Sequence, residues 1–226
     1  MDPFYITQDV KTPFAQIESY EAGVAYSRVQ PGLALVARTA VFRTHVDRDL
    51  IFSKTAGRNV LGVGTTRTGW LAALRLTGRN FDEAANLTLV QSTFDDTHLL
   101  VPYVPDVVLR SDSALHHDLP LALAGRPLRG NLALGITYVG RRALPFGERS
   151  GQIFTLDGAA TVSWRWFELG LSATNLLDRR YRLGEFNFVS SFAPNRPPSL
   201  VPVRHFSAGA PRGIFATFAV SFGGRS

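Results

Sequence analysis

The sequence predicts an all-β protein: a transmembrane antiparallel β-barrel, here an incomplete up-and-down meander of about nine long strands. Three observations predict it. Apolar and polar residues alternate with a period of two, the alternating segments are long, and the connections between them alternate between short and long. A soluble β-sandwich also alternates, but its strands usually run about 5–6 residues, whereas a membrane strand needs about 9–11.

The alternating segments can be placed in order along the chain. We predict strands at about 15–28, 33–46, 60–76, 81–94, 106–117, 132–138, 154–165, 169–174 and 213–222. The first five alternate less regularly than the last four. The clearest segment begins at Phe154 and ends at Arg165, with apolar residues at every second position and polar or small residues between. Such strands fit an apolar side that meets hydrocarbon and an opposite side that borders a watery lumen.

The predicted connections fall into two classes. The short ones lie at 30–32, 77–80 and 165–167, and the long ones at about 47–59, 95–106, 141–151 and 182–208. Outer-membrane barrels have short periplasmic turns and long extracellular loops. The link at 119–130 is longer than a normal periplasmic turn.

Three aromatic residues cluster at one short turn. Trp164, Trp166 and Phe167 are predicted at the periplasmic interface, where barrels carry an aromatic girdle. Simple core packing is the alternative interpretation of these residue types.

Composition excludes several classes of protein. No apolar run among the 226 residues approaches the roughly 18 that a membrane helix needs. Cysteine is absent, so the chain has no disulfide framework and no thiolate metal site. The formal net charge of +6 comes almost wholly from arginine, since Lys11 and Lys54 are the only lysines. Arginine suits carboxylate and phosphate partners such as lipopolysaccharide or an anionic substrate. The arginines are scattered rather than gathered into one patch, which argues against nucleic acid.

Candidate chemical sites are weak. His116 and His117 are neighbours on a predicted strand, so they point to opposite faces and cannot share a metal. Four aspartates lie in predicted loops and could bind a cation, namely Asp47, Asp49, Asp95 and Asp96, although solvated carboxylates are the simpler interpretation. We expect no catalytic residues, no metal site and no cofactor, and therefore no enzyme.

The last fifty residues carry a recognisable order of motifs. They contain the following residues: Asn175, Leu176, Asp178 and Tyr181, then Gly209, Pro211 and Arg212, and finally the aromatic Phe222. This order resembles the C-terminal end of TonB-dependent outer-membrane receptors. Weaker matches to the same family lie at 17–23, 40–51, 64–70 and 94–105, although Trp70 stands where the family usually has an acidic residue. For the motif residues we expect structural roles.

The resemblance implies more parts than the sequence shows. A complete receptor of this family is a 22-stranded barrel that is filled by an N-terminal plug and preceded by a TonB box. The sequence shows neither the complete barrel nor the plug, and it shows no TonB box and no secretory signal. We therefore expect a loop or artificial N-terminus at 1–14, a partial barrel domain at 15–222 and a tail at 223–226. A truncated gene, a split gene or a mis-called start would explain this, and we expect that the polypeptide alone is not a stable functional pore.

The resemblance also implies function and location. It implies energised uptake of a scarce ligand at the bacterial outer membrane, most often a ferric siderophore, with cobalamin or an oligosaccharide as alternatives. The expected partners are outer-membrane lipid and lipopolysaccharide, the barrel-assembly machinery and, only through an N-terminal part, the TonB energising complex. The predicted ligand contacts are the loop cations Arg141, Arg142, Arg149 and Arg196. The competing hypotheses are a soluble all-β binding domain of sandwich or lectin-like type and a passive small porin.

Overall fold

The computed structural model describes residues 15–53, 58–189 and 201–222. The strands within these ranges are Ile17–Gln30 (β1), Leu33–Val46 (β2), Leu50–Ser53 (β3), Arg58–Leu61 (β4), Thr65–Gly78 (β5), Phe81–Phe94 (β6), Val107–Leu123 (β7), Arg126–Val139 (β8), Ile153–Trp164 (β9), Phe167–Thr174 (β10), Arg182–Val189 (β11), Pro202–Ala208 (β12) and Gly213–Val220 (β13). A short 3-10 turn covers Pro145–Gly147. No helix of the described residues is long and apolar enough to cross a membrane.

Nine of these strands form one antiparallel sheet. Its order is β1-β2-β5-β6-β7-β8-β9-β10-β13, so each strand pairs with its neighbour in the meander. The remaining strands form two small hairpins, β3–β4 and β11–β12, inserted in the connections. The sheet does not close on itself, because β1 and β13 stand at its two edges. The predicted all-β meander of about nine long strands is confirmed.

The two ends of the sheet differ in their connections. At one end, called the turn end, successive strands are joined through Pro31–Gly32, Arg79–Asn80, Ala124–Gly125 and Arg165–Trp166. At the other, called the loop end, the connections are 47–64, 95–106, 140–152 and 175–212. The predicted alternation of short turns and long loops is therefore present in the fold, and Trp164, Trp166 and Phe167 lie at the turn end.

Three details of the strand prediction were wrong. The segment 60–76 is not one strand, because Arg58–Leu61 pairs with Leu50–Ser53 and β5 begins only at Thr65. The predicted long link at 119–130 consists of two paired strand ends around a two-residue turn. The predicted loop at 182–208 contains the β11–β12 hairpin. In each case polar residues or prolines interrupt the alternating pattern, so the pattern did not predict a strand that forms by pairing with a segment nearby in the chain.

Most of the large apolar side chains lie on one surface of the sheet, here called the apolar face, although Val36, Leu71 and Phe215 lie on the opposite surface. Residues directly opposite each other in an antiparallel pair share a face. The register places the following rows on this face: Val41, Trp70, Leu89 and Val107 across β2 to β7, and Leu115, Leu132, Ala160, Leu171 and Ala216 across β7 to β13. Most of the large side chains in these rows remain exposed.

The described residues form no dry core between two packed sheets. Among the residues whose burial the structure describes, which leave out 50–61, the buried apolar side chains are Val46, Val101, Leu144 and Ile153, all of which lie at or beside the loop end. The apolar face therefore has no second sheet packed on it, as a β-sandwich would require.

The opposite surface, here called the polar face, carries charge in ordered pairs. The guanidinium of Arg110 donates to Asp112 and, at 2.7 Å, to Thr137, and it lies 3.5 Å from the Asp157 carboxylate. Gly135 makes room for this group, because a Cβ there would stand 2.7 Å from Arg110 Nη2. A sheet with one exposed apolar face and one polar face is the arrangement of a membrane barrel wall.

The turn between β7 and β8 has a conformation that its sequence does not favour. Ala124 and Gly125 have φ values of 49° and 71°, as a type I′ turn requires. Ala124→Asn should therefore stabilise the folded chain by about 1 kcal/mol, since asparagine tolerates a positive φ better than alanine. The measurement is the free energy of unfolding in urea. Ala122→Asn, two residues earlier in β7, is the control and should destabilise; a gain at both positions would contradict this explanation.

Candidate ligand-binding site at the loop end

Three long connections pack together at the loop end. The ring of Tyr103, from the 95–106 loop, lies 5.5 Å from that of Phe186 in β11. The Tyr103 amide donates to the Ala143 carbonyl at 2.8 Å, which joins the same loop to the 140–152 connection. Burial raises the pKa of the Tyr103 phenol. These three loops therefore contact one another and form one packed assembly.

A buried carboxylate holds this assembly in place. Glu185 in β11 is only 1% exposed. Its Oε1 accepts from the Gly151 amide at 2.7 Å, and its Oε2 lies 3.2 Å from Arg182 Nη1 and 3.4 Å from Arg204 Nη1. Arg204 also donates to Glu148 Oε2 at 2.5 Å. Charged hydrogen bonds to a buried carboxylate are stronger than neutral ones, so Glu185 fixes the hairpin against the 140–152 connection.

Five arginines surround a cavity beside Glu185. This arginine cluster lines a space of about 370 Å³ together with Tyr181 and Glu185, and its members are Arg141, Arg149, Arg180, Arg182 and Arg204. Arg182 and Arg204 are paired with Glu185, whereas the other three have no carboxylate at ion-pair distance among the residues that the structure describes. An excess of unpaired guanidinium groups around one cavity suits a ligand with carboxylate, phosphate or phenolate oxygens.

A second cavity adjoins the first. It has a volume of about 280 Å³ and shares Arg141 and Arg149 with the arginine cluster, while its other walls include Leu100, Val101 and Val104. The walls of the two cavities together include arginines and apolar side chains, and Asp106 also lines the second cavity. This combination is typical of small-molecule sites, in which apolar walls surround a few placed polar groups.

The predicted ligand contacts have different positions in the structure. Arg141 and Arg149 lie in the arginine cluster. Arg142 does not, because its Nη2 donates to the Leu183 carbonyl at 3.3 Å and its amide to the Ser150 hydroxyl at 2.9 Å. Arg196 lies outside the described residues. That any of these arginines contacts a ligand stays a prediction.

Sequence reasoning missed three members of the cluster. Arg180 and Arg182 flank Tyr181, and Arg204 lies on β12 in a segment that was predicted to be an irregular loop. The density of arginine around Tyr181 was a visible signal. The pairing of β11 with β12, which brings Arg204 to the same cavity, was not.

Asn175 closes the turn that follows β10. It is 3% exposed and has a φ of 49°. Its Nδ2 donates to the Arg179 carbonyl at 2.9 Å and to the Ala210 carbonyl at 3.2 Å, and its Oδ1 accepts from the Arg179 amide at 3.0 Å. One side chain therefore satisfies three backbone groups and links the start of the last long connection to its end.

The other motif residues surround this turn. Asp178, also at a positive φ of 49°, accepts from the Arg212 amide at 3.3 Å. Leu176 donates its amide to the Leu156 carbonyl and packs over Gly158, where a Cβ would stand 2.8 Å from Leu176 Cδ1. Gly209 is required because its Cβ would lie 2.2 Å from the Tyr181 ring.

The end of the motif leads into the last strand. Pro211, which has no N–H to donate, precedes β13 at the point where the strand pairing begins. Phe222 lies beyond β13 and is 92% exposed.

The loop carboxylates are engaged by neighbouring groups. Asp49 accepts from Arg67 at 2.5 Å, and Asp95 accepts from Thr66 at 2.7 Å and lies 3.3 Å from His45 Nδ1. The Gln16 amide donates to Asp47 and lowers the pKa of that carboxyl below its usual value. In the described ranges, no three histidine or acidic side chains gather in a way that could hold a metal ion.

Comparison with known proteins finds similarity in structure alone. No protein-family model matches the chain, and no curated protein matches it. Among solved structures, the ferric yersiniabactin uptake receptor FyuA from Yersinia pestis superposes with a TM-score of 0.60 and 19% sequence identity, over 91% of this chain and 30% of that one. The ferric-catecholate import receptor Fiu from E. coli K12, in its closed form, superposes with a TM-score of 0.63 and 16% identity, over 92% and 28%.

These similarities define the fold. Both solved proteins are TonB-dependent receptors, and the chain has the fold of the C-terminal part of their barrel. It spans less than a third of the length of either receptor.

Loss of the Asn175 side chain should destabilise the folded chain strongly. Asn175→Gly keeps the positive φ but leaves three backbone groups without their partner, and we expect a loss of about 3 kcal/mol. Asn175→Ala should lose about 1 kcal/mol more, because alanine disfavours that φ. The measurement is the urea unfolding midpoint. Asn86→Ala on the polar face of β6 is the control and should change it little; equal effects of the two alanine substitutions would refute the role of Asn175.

Removal of the Glu185 carboxylate should loosen the loop assembly. Glu185→Ala leaves the Gly151 amide and the Arg182 guanidinium without their carboxylate partner, whereas Arg204 keeps its pairing with Glu148. We expect a local loss of about 2 kcal/mol, reduced from the value for a fully buried pair by the solvent exposure of both arginines. Hydrogen exchange at 140–152 and in the β11–β12 hairpin should rise. Glu148→Gln, which removes only the exposed partner of Arg204, should leave exchange at Gly151 unchanged. If the amides of these two segments exchange as slowly in Glu185→Ala as in the unaltered chain, Glu185 does not anchor the loops.

Proposed function

We propose that this chain is the C-terminal part of the barrel of a TonB-dependent receptor, located in the bacterial outer membrane and serving the energised uptake of a ferric siderophore. The observation that carries the proposal is the nine-stranded meander, apolar on one face and polar on the other, with a cationic cavity at its loop end. In such barrels the long loops are extracellular and receive the ligand. The two solved proteins of the same fold are import receptors for ferric ligands, which supports the substrate class.

The arginine cluster supplies the chemistry of recognition in this proposal. Arg141, Arg149 and Arg180 offer guanidinium groups that no carboxylate neutralises within the described ranges. Ferric siderophores carry carboxylate, hydroxamate or catecholate oxygens, and planar guanidinium groups bind such oxygens in pairs. The carbon side chains of the neighbouring cavity would cover the organic backbone of the ligand. A neutral oligosaccharide would make less use of three free cations.

In our proposal, transport requires further strands that pair with the two edges of this sheet. The outer edges of β1 and β13 have no strand partner among the described residues, and unpaired backbone groups in hydrocarbon each cost several kcal/mol. We therefore propose that the chain does not conduct or transport unless these edges are paired, which also disfavours a passive small porin. Lipopolysaccharide, the barrel-assembly machinery and, through a plug, the TonB complex are the partners that this role would involve.

The test is ligand binding by the full chain in detergent micelles. Ferric yersiniabactin and a ferric catecholate serve as probes, and binding is followed by quenching of tryptophan fluorescence. Replacing Arg141, Arg149 and Arg180 by glutamine should weaken binding about tenfold for each charge-assisted hydrogen bond removed. Raising the salt concentration should weaken it further.

A matched control separates the cavity from charge in general. Arg38→Gln with Arg75→Gln removes cations from the polar face away from the cavity and should leave affinity within about twofold, because exposed charges at that distance are screened. The proposal fails if neither ferric probe binds, or if the control variant loses as much affinity as the cluster variant.

A further inference from the structure

The turn end of the apolar face carries a continuous aromatic stack. The Trp164 and Phe167 rings are nearly parallel with centroids 6.2 Å apart, and Phe167 stacks in turn on Phe218 at 6.1 Å. The Trp164 indole N–H donates to the Leu123 carbonyl at 3.0 Å. The stack is therefore tied to the tip of the β7–β8 hairpin as well as to β9, β10 and β13.

That hairpin tip projects past its neighbours. Pairing of β7 with β6 stops at Leu115, and pairing of β8 with β9 stops at Arg129. The hairpin tip, defined as residues 119–128, has four leucines, of which Leu121 and Leu123 are 64% and 54% exposed. Leu119 leans over Gly130, where a Cβ would stand 2.9 Å from Leu119 Cδ2. The apolar face thus continues beyond the neighbouring strands through a ridge of leucines.

Two arginines lie at the edge of this ridge. The guanidinium of Arg165 lies 5.0 Å from the Trp164 ring centroid, and Arg126 is opposite Leu123 in the strand register. Neither has a carboxylate at ion-pair distance in the part of the chain that the structure describes, whereas Arg129 nearby is paired with Asp118 at 3.4 Å. Apolar side chains bordered by unpaired arginines match the boundary between lipid tails and phosphate head groups.

We propose that the hairpin tip, Trp164, Arg126 and Arg165 together form a binding site for an anionic phospholipid at the turn-side leaflet of the membrane. Leu121 and Leu123 enter the acyl region, the Trp164 ring lies at the interface, and the two guanidinium groups bind the lipid phosphate. A protein partner is the less suitable occupant, because the ridge is continuous with the apolar face and its charge lies only at the rim. The inference rests on the proposed membrane location and adds a specific lipid contact to it.

The first measurement locates Trp164. With Trp70→Phe and Trp166→Phe, Trp164 becomes the only tryptophan in the full chain. The chain is diluted from denaturant into vesicles of phosphatidylcholine alone or with phosphatidylglycerol. We expect a blue-shifted Trp164 emission in both vesicles and strong quenching by lipids brominated near the carbonyl end of the tail. Emission that stays at the position of the solvated chain in both vesicles overturns the membrane location and the lipid site together.

The second measurement tests recognition of the head group. In detergent micelles, phosphatidylglycerol added at increasing concentration should bind at least about tenfold more tightly than phosphatidylcholine. Arg126→Gln with Arg165→Gln should weaken phosphatidylglycerol binding by about fivefold for each arginine. Arg38→Gln with Arg75→Gln, the same change of charge on the polar face, should not.

The outcomes separate the two proposals. A blue-shifted Trp164 with no preference for phosphatidylglycerol overturns the lipid site while leaving the barrel proposal intact. Equal loss of lipid binding in the two arginine double variants also overturns it, because binding would then follow net charge. Loss in the turn-end variant alone, with unchanged binding of the ferric probes, supports a lipid site that is independent of the arginine cluster.

Discussion

The antiparallel hydrogen-bond ladder is the constraint on which the rest of the structure depends. Each strand of the sheet pairs in register with its neighbour in the meander, so successive side chains point to opposite faces across all nine strands. A slip of one residue in any pair would move every side chain of that strand to the opposite face. The division of the sheet into an apolar and a polar face is a direct consequence of register, and the proposed membrane location rests on that division.

The loop end depends on a different interaction, the burial of a single carboxylate. Glu185 is nearly inaccessible, yet its oxygens meet a backbone amide and two guanidinium groups. No carboxylate among the residues that the structure describes lies at ion-pair distance from the other arginines of the cluster, so the arginines of the cavity outnumber the carboxylate in its wall. A buried ion pair adds little net stability compared with apolar packing. Here the ion pair holds the β11–β12 hairpin against the 140–152 connection.

Structural and candidate functional elements share residues at the end of β10. Asp157 on the polar face accepts from the Asn175 amide at 2.9 Å and also approaches Arg110. The Asn175 turn in turn positions Arg180, since it fixes the backbone from Arg179 onward. The most recognisable motif of the sequence is thus a scaffold for part of the arginine cluster, and through it for the binding site that we propose.

The sequence by itself determined the fold class, the approximate number of strands and the asymmetry of the connections, because period-two alternation and turn residues are local properties. It also indicated Arg141 and Arg149 as candidate ligand contacts, but it did not indicate Arg204, because the position of Arg204 depends on the pairing of β12 with β11. The hairpin at 119–128 was hidden because Pro120 and Pro127 are typical of a connection, although leucine recurs at every second position from Leu119 to Leu123. Only the pairing of β7 with β8 and the bond from Trp164 to the Leu123 carbonyl reveal it. Tertiary structure decided which arginines share a cavity and which are neutralised, since distances between loops depend on packing that no short segment encodes.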